Sequence, residues 1–233
     1  MDVPMPTNSL VTALLTDLYQ ITMAYAYWKT NRQNEHAVFE LFFRKNPFGG
    51  TYTIFCGIDE VVKFVSHFRF TSDEIEYLKT VPSLSQCEPE FFDYLSKVDC
   101  SQVTVESVAQ GSVVFPRTPL LIVTGPLLIT QLLETTLLNL VNFPSLVATN
   151  ASRMVTAARG QFSDKLINGK TPTCVEFGLR RAQGPDGGYT ASKYCMIGGF
   201  DAVANVQAGK LLGVPIAGTH AHSFVMRDRK SVV

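Results

Sequence analysis

The chain has 233 residues, of which 46% are hydrophobic and 11% aromatic, a composition that supports a packed core and excludes a disordered tail. Its 20 basic and 20 acidic residues give a formal charge of zero. Since lysines and arginines form no cluster, the sequence predicts neither a nucleic-acid surface nor a membrane surface. Small molecules and other subunits are the expected partners.

Cysteine usage and the first residues predict a cytoplasmic protein. The five cysteines are widely spaced and form no CxxC pair, which is typical of reduced thiols. The opening MDVPMPTN lacks the basic and apolar regions of a secretory leader, and apolar stretches fall short of the roughly 18 residues that a membrane helix needs.

The first part of the chain predicts a mixture of helices and strands. Helical spacing over residues 9–29 predicts one helix, or two short helices that meet near Asp17. The segment HAVFELFFRKNPFGG predicts a strand that ends at proline and glycine. Helices are then expected around residues 58–68, in TSDEIEYLKTV with a cap at Thr71 or Ser72, and in PEFFDYLSKV.

Several short strands are expected over residues 103–126, where apolar residues alternate between glycines and prolines. Residues 127–159 form a long apolar helical stretch, which Pro144 is expected to kink or split. We predict a domain boundary here, with a mixed α+β domain over residues 1–150 and a second domain over residues 151–233.

The second domain alternates strand and helix after Gly160. We expect strands in TCVEFGLR and VPIAG, helices in TASKYCMIG and GFDAVANVQAGKLLG, and a loop in RAQGPDGGY. This order predicts parallel strands in an α/β sheet or barrel. Ligands of such folds bind beyond the carboxyl ends of the strands, which would place residues 177–188 and 219–224 at a binding site.

Three segments could carry chemistry. In EFGLRRAQGPDGG, Arg180 and Arg181 enter a loop with three glycines, so guanidinium and backbone N–H groups could bind a phosphate; an ordinary surface loop is the alternative. In THAH, His220 and His222 would share one face if the segment is extended. They could ligate zinc, one of them could act as acid, base or nucleophile, or both could be ordinary polar residues.

The third segment is Asp17-Leu18-Tyr19, inside an apolar helical stretch. An aspartate there must be capped, paired or exposed, and a tyrosine offers a flat face on which a ligand ring could stack. Alternatively, Asp17 caps the second of two helices and Tyr19 packs in the core.

Together these segments resemble the nicotinate phosphoribosyltransferase family from about residue 14 to residue 225. TDLYQITMAYAYW is similar to the family's opening segment, and FELFFRKNPFGGTYTIFCGI to its Arg-x-x-Pro strand and turn. EFGLRRAQGPDGGYTAS and GGFDAVANVQAGKLLGVPIAGTHAHSFV are similar to its two central motifs. Four segments in the correct order make the resemblance specific.

The resemblance implies a reaction in which nicotinate and 5-phosphoribosyl-1-pyrophosphate give nicotinate mononucleotide and pyrophosphate. ATP hydrolysis is coupled to the step, Mg²⁺ accompanies the phosphorylated substrates, and the enzyme is a cytoplasmic homodimer. Tyr19 and Phe177 would stack on the pyridine ring, and Arg180 would contact the phosphate-bearing substrate.

The resemblance also implies roles for residues of the THAH segment. Thr219 matches the position that contacts nicotinate, and His222 matches the histidine that ATP phosphorylates. The family has apolar residues at the position of His220, which is therefore not expected to be catalytic. Asp17 and Asp201 match acidic positions near the pyridine site, although Asp201 could instead cap its helix or orient a neighbour.

The family's chains are longer than this one. An α/β barrel needs roughly 200–250 residues, more than follow Gly160 here. We therefore expect an α/β protein with an N-terminal mixed α+β domain, followed by the first part of an incomplete, TIM-like barrel. The alternative to an active enzyme is a catalytically inactive shortened form that only associates with full-length subunits.

Overall fold

The computed structural model describes residues 3–160 and 171–227. The chain divides into two compact units, Met1–Leu146 (unit 1) and Val147–Val233 (unit 2). The division falls inside a long helix, whereas the sequence analysis placed the boundary after residue 150. Within the described ranges, no helix combines the length and the apolar character needed to cross a membrane.

Unit 1 is built from helices around two small antiparallel sheets. Its helices are α1 (Leu18–Lys29), α2 (Ile58–His67), α3 (Ser72–Thr80), α4 (Pro89–Leu95), α5 (Leu127–Leu132) and the start of α6 (Glu134–Arg159). Its strands are β1 (His36–Leu41), β2 (Thr53–Ile54), β3 (Thr104–Ser107), β4 (Val113–Val114) and β5 (Leu121–Pro126). One sheet has the order β1-β5-β3, and β2 pairs with β4 in the other.

The predicted helices and strands of unit 1 are largely confirmed, and the physical signals behind them are visible. Thr71 caps α3 in a reciprocal capping box, in which its hydroxyl accepts the Glu74 N–H at 3.2 Å and the Glu74 carboxylate accepts the Thr71 N–H at 2.8 Å. On β5 the residues alternate between buried and half-buried, and an apolar cluster that includes Phe55, Phe91 and Leu121 fills the interior.

The prediction for residues 9–29 was wrong in its first half. Residues 9–16 form turns and bends instead of a helix, and α1 begins only at Leu18. Asp17 has the extended backbone of an N-cap residue, but its carboxylate caps no N–H group. The helix therefore begins within the Asp-Leu-Tyr segment that interrupts the apolar pattern.

Pro144 does not split the helical stretch, because it lies inside the continuous helix α6, and a kink there stays a prediction. The long helical stretch is instead divided at Leu133, between α5 and α6. Proline cannot donate a hydrogen bond to the carbonyl four residues earlier, here that of Leu140. That carbonyl faces Gly57, where a β-carbon would lie only 2.2 Å from the oxygen.

The same turn is fastened to α6 by a side chain. The Ser145 hydroxyl accepts the Cys56 N–H at 3.0 Å and lies 3.2 Å from the Cys56 carbonyl oxygen. Gly57 has φ 106°, a conformation that favours glycine. The turn between β2 and α2 therefore packs closely against the proline-containing part of α6.

Unit 2 contains a small parallel sheet. Its elements after α6 are β6 (Val175–Glu176), α7 (Gly184–Ile197), β7 (Ala202–Val203), α8 (Val206–Leu212) and α9 (His222–Arg227). β6 pairs with β7 in parallel, and Val203 also forms a parallel bridge with Ile216. The chain is thus a mixed α/β protein, as the sequence predicted.

Two details of unit 2 differ from the prediction. Helix α7 begins at Gly184 and includes most of the segment expected to be a loop, because a proline is well tolerated in the first turn of a helix. The segment expected to be one helix, GFDAVANVQAGKLLG, contains the strand β7 before α8 begins.

Candidate functional site

Four of the predicted site residues follow the carboxyl ends of the parallel segments in unit 2. Phe177 and Arg180 lie directly after β6, while Thr219 and His222 follow the bridge residue Ile216. Because parallel segments end at the same edge of a sheet, these residues belong to one edge. All four side chains are exposed, and Phe177 retains 46% of its accessible surface.

The loop after β6 is held by side chains that the sequence analysis did not single out. The Glu176 carboxylate accepts the N–H of Gly178 and the hydroxyl of Ser192, the latter at 3.0 Å. Burial, and in second place the Glu176 charge, raise the pKa of the nearby Cys195 thiol to about 12. Glu176 could have been noticed as an acidic residue at the end of an apolar strand.

The THAH segment is not extended throughout, so the condition under which His220 and His222 would share one face is not met. Residues 217–221 are irregular, and His222 is the first residue of α9. The His220 ring stacks on Phe224, with ring centroids 5.2 Å apart and planes inclined by 21°. His222 is exposed. The two imidazoles therefore have different surroundings instead of sharing a strand face.

Asp201 lies at the opposite edge of the sheet. It directly precedes β7, and its carboxylate accepts the Cys174 N–H at 2.7 Å and a hydrogen bond from the Arg159 guanidinium. Cys174 itself precedes β6, so both residues lie at the amino ends of the strands. That Asp201 lies near the pyridine site stays a prediction, and its contacts with Cys174 and Arg159 fit the alternative in which it orients neighbouring residues. It does not cap α8, whose cap is Asn205.

Asp17 and Tyr19 line a cavity of about 600 Å³ in unit 1. The Asp17 carboxylate accepts the Thr135 hydroxyl at 3.0 Å, and Tyr19 is 48% exposed instead of packed in the core. The cavity wall is mostly apolar, and Lys45 supplies a cation. Its other lining residues include Phe42, Phe43, Leu138, Asn139 and Asn142.

A buried polar network lies next to Tyr19. Gln20 is fully buried, and its amide donates to the Glu134 carboxylate at 2.5 Å and accepts from Gln131 at 2.9 Å. Gln131 also donates to Glu134 at 3.0 Å, and the Tyr19 hydroxyl lies 3.5 Å from the same carboxylate. This network joins the start of α1 to the start of α6 and was not predicted.

The zinc hypothesis for His220 and His222 requires further ligands, since zinc sites have three or four protein ligands. Over residues 3–160 and 171–227, no group of three or more histidine, cysteine, aspartate or glutamate side chains is placed to hold a metal ion. All five cysteines, which lie within these ranges, are free thiols.

Comparison with known proteins identifies the family. The sequence model of the nicotinate phosphoribosyltransferase N-terminal domain matches residues 14–142, more than half of the chain. Nicotinate phosphoribosyltransferase 1 of Arabidopsis thaliana is 55% identical over 220 residues, and the Caenorhabditis elegans nicotinate phosphoribosyltransferase is 56% identical over 218 residues. Each match covers 94% of this chain and 37% of the relative.

Solved structures agree. The crystal structure of human nicotinic acid phosphoribosyltransferase is 50% identical with a TM-score of 0.79, and the match covers 94% of this chain and 42% of the human chain. The nicotinate-nucleotide pyrophosphorylase of Pyrococcus furiosus, at 19% identity and a TM-score of 0.67, shares the fold. The fold is that of a phosphoribosyltransferase. The chain belongs to the nicotinate phosphoribosyltransferase family, and it spans about two fifths of the length of these family members.

Proposed function

We propose that the chain takes part in forming nicotinate mononucleotide and pyrophosphate from nicotinate and 5-phosphoribosyl-1-pyrophosphate. The pyridine nitrogen would displace pyrophosphate at C1 of the ribose, through a transition state with positive charge on the sugar. The observation that carries the proposal is the sheet edge of unit 2, where Phe177, Arg180, Thr219 and His222 follow parallel segments in a chain about half identical to named nicotinate phosphoribosyltransferases.

The loop after β6 supplies the groups for an anionic substrate. Arg180 is exposed and its guanidinium fork suits a phosphate or pyrophosphate group. Phe177 offers an exposed ring on which a pyridine could stack, and Thr219 offers a hydroxyl on the segment after Ile216. In this assignment Asp201 fastens the opposite edge of the sheet and contacts no substrate.

His222 is the proposed phosphoryl acceptor in the coupled hydrolysis of ATP. A neutral imidazole nitrogen can attack the γ-phosphorus, so that an N–P bond forms as the bond to the ADP oxygen breaks; water then cleaves the N–P bond. The exposed position of His222 leaves its ring accessible to a nucleotide. His220, stacked on Phe224, is proposed to have a packing role.

The cavity of unit 1 has a role of its own in the proposal. Its tyrosine and apolar wall suit a flat ring, and Lys45 suits a carboxylate. We propose that the protein is a homodimer in which Asp17 and Tyr19 complete the site of the partner subunit. The reduced cysteines favour the cytoplasm as its location.

Mg²⁺ enters the proposal with the phosphorylated substrates, which it accompanies as a counter-ion. The described residues gather no set of three or more histidine, cysteine, aspartate or glutamate side chains that could hold a metal ion. No step is therefore assigned to a metal held by the protein.

The proposal is tested by incubating the purified chain with nicotinate, 5-phosphoribosyl-1-pyrophosphate, ATP and Mg²⁺ and measuring nicotinate mononucleotide. We expect product formation that ATP stimulates, and an acid-labile phosphate on the protein. His222→Ala should abolish both the stimulation and the labelling. His220→Ala is the matched control and should retain both. A chain that forms no product, or a His222→Ala variant that is still labelled, contradicts the proposal.

A further inference from the structure

The loop after β6 is fastened at its first turn by the Glu176 carboxylate. The Glu176 backbone is fixed by β7, since its carbonyl accepts the Ala204 N–H at 2.8 Å. Its side chain then turns toward the loop, where one oxygen accepts the Gly178 N–H and the other accepts the hydroxyl of Ser192 at 3.0 Å. Ser192 is fully buried on α7. One carboxylate thus connects a strand, a loop and a helix.

The Glu176 carboxylate explains why residue 178 is a glycine, whereas the backbone conformation of residue 178 does not. Gly178 has φ −82°, which any residue can adopt. A β-carbon on Gly178, however, would lie 2.8 Å from the Glu176 Oε1 atom. A side chain at this position would therefore displace the carboxylate from the Gly178 N–H.

A second close approach fixes the other side of the loop. A β-carbon on Gly188 of α7 would lie 2.6 Å from Cδ1 of Leu179. The absence of that β-carbon lets Leu179 pack directly on the helix. The two residues between Phe177 and Arg180 are therefore both held at short range, Gly178 by the carboxylate and Leu179 by α7.

We propose that Glu176 and Ser192 form a clamp that sets the conformation of residues 177–181 and thereby aims Arg180 at the phosphate-bearing substrate. Glu176 is in this assignment a positioning residue that touches no substrate. The identity of the substrate rests on the proposed function, whereas the clamp itself rests on the contacts described above.

The clamp depends on hydrogen bonds and not on the negative charge alone. The Ser192 hydroxyl also lies 2.9 Å from the Gly188 carbonyl oxygen, to which it can donate instead. A glutamine at position 176 could then accept the Gly178 N–H with its oxygen and donate its amide to the Ser192 oxygen. Glutamine at position 176 should therefore preserve the clamp, whereas alanine should abolish it.

The experiment compares the whole chain with the variants Glu176→Ala, Glu176→Gln and Gly178→Ala. Hydrogen exchange is measured for the peptide that covers residues 175–183, and the Kd for 5-phosphoribosyl-1-pyrophosphate is measured by calorimetry. Glu176→Ala and Gly178→Ala should each raise loop exchange and the Kd about tenfold. Glu176→Gln should stay within about twofold of the parent chain. Peptides of unit 1 should exchange as in the parent.

Gly187→Ala is the matched control for Gly178→Ala, since a β-carbon there meets its nearest atom at an ordinary 3.7 Å. It should leave loop exchange and binding unchanged. Gly178→Ala also decides the result if Glu176→Ala fails to fold. Loop exchange that stays at the parent's rate in Gly178→Ala, or a Glu176→Gln variant that behaves like Glu176→Ala, overturns the clamp.

A double-mutant cycle tests whether the clamp affects substrate binding through Arg180. In an Arg180→Ala background, Gly178→Ala should cause no further loss of binding, because the residue that the clamp positions is already absent. An undiminished further loss overturns the positioning role. If the parent chain binds no 5-phosphoribosyl-1-pyrophosphate, the proposed function is rejected, and the exchange rates alone then confirm or overturn the clamp.

Discussion

Glu88 is a residue whose ionisation links the stability of unit 1 to pH. The Lys29 ammonium and the Tyr25 hydroxyl, the latter at 2.6 Å, bind its carboxylate and lower its pKa from 4.5 to about 2. A carboxylate with a lowered pKa stabilises the folded state above its unfolded pKa, and this contribution is lost as the pH falls through the folded pKa.

We therefore predict that unit 1 loses stability as the pH falls from about 4.5 to about 2, and that Glu88→Gln loses less over the same range. Urea unfolding monitored by the fluorescence of Trp28, the one tryptophan, measures this. Glu106→Gln, at an exposed position on β3, should follow the parent. A Glu88→Gln profile parallel to the parent's would refute the prediction.

A second prediction about a single residue concerns Asp201. Asp201→Ala removes the acceptor for the Cys174 N–H and the partner of Arg159, so it should destabilise unit 2 by about 1 kcal/mol. Faster exchange of the β6 and β7 amides measures this effect. The KM values for both substrates should match those of the parent, since Asp201 lies at the other edge of the sheet. The exposed Asp186 serves as the control position, and a raised KM in Asp201→Ala would show that Asp201 contributes to the substrate site.

Among the elements, the turn between β2 and α2 constrains α6 most closely. A β-carbon at Gly57 would meet the backbone oxygen of Leu140 at 2.2 Å, and backbone atoms cannot turn aside as the end of a side chain can. Gly57→Ala should therefore destabilise unit 1 by about 3 kcal/mol, from overpacking together with strain at positive φ.

Gly49→Ala separates these two effects. Gly49 also has positive φ, 64°, but a β-carbon there would meet no atom within 4 Å. It should therefore cost only about 1 kcal/mol, the strain alone. Urea unfolding followed by Trp28 fluorescence compares the two variants. Equal losses would show that the approach to α6 contributes nothing.

Helix α3 shows which elements a sequence predicts well. Thr71, followed by Glu74 at the third helical position, is the pattern of a capping box, and both hydrogen bonds are present. Pro144 shows the opposite case. The helix around it contacts the turn at Cys56 and Gly57, and the Cys56–Ser145 hydrogen bond joins residues almost 90 positions apart, which leaves no local pattern.

At the scale of the whole molecule, the two units should open at different urea concentrations. Burial raises the pKa of Cys100 in unit 1 and of Cys195 in unit 2 to about 12, so both thiols should react more slowly while their units are folded. The buried apolar cluster of unit 1 is larger than that around Cys195 among the described residues. Unit 2 should therefore open first.

Pulsed alkylation at increasing urea, read by mass spectrometry, tests this order. Cys195 should be labelled at lower urea than Cys100. A Cys195→Ser variant provides the control, in which the labelling curve of Cys100 should not move. Labelling of both thiols at one urea concentration would mean that the chain unfolds as a single cooperative unit.

The sequence predicted the α/β class and the strand that contains β6, because a short apolar run is a strong local pattern, whereas most of the loop expected after it belongs to α7. It missed β7, since a strand of two residues has no periodicity. For the same reason it did not show that Asp201 directly precedes a strand and contacts Cys174. Glu176 and Ser192 were missed because their contact joins a strand and a helix 16 positions apart.

The stacking of His220 on Phe224 should distinguish its imidazole from that of the exposed His222 by spectroscopy. The circulating electrons of the phenyl ring shield protons held above its face, so the imidazole carbon protons of His220 should resonate upfield. The signal of the exposed His222 then stands apart from that of its neighbour without isotope assignment. A proton spectrum recorded during a nucleotide titration can consequently follow one imidazole at a time.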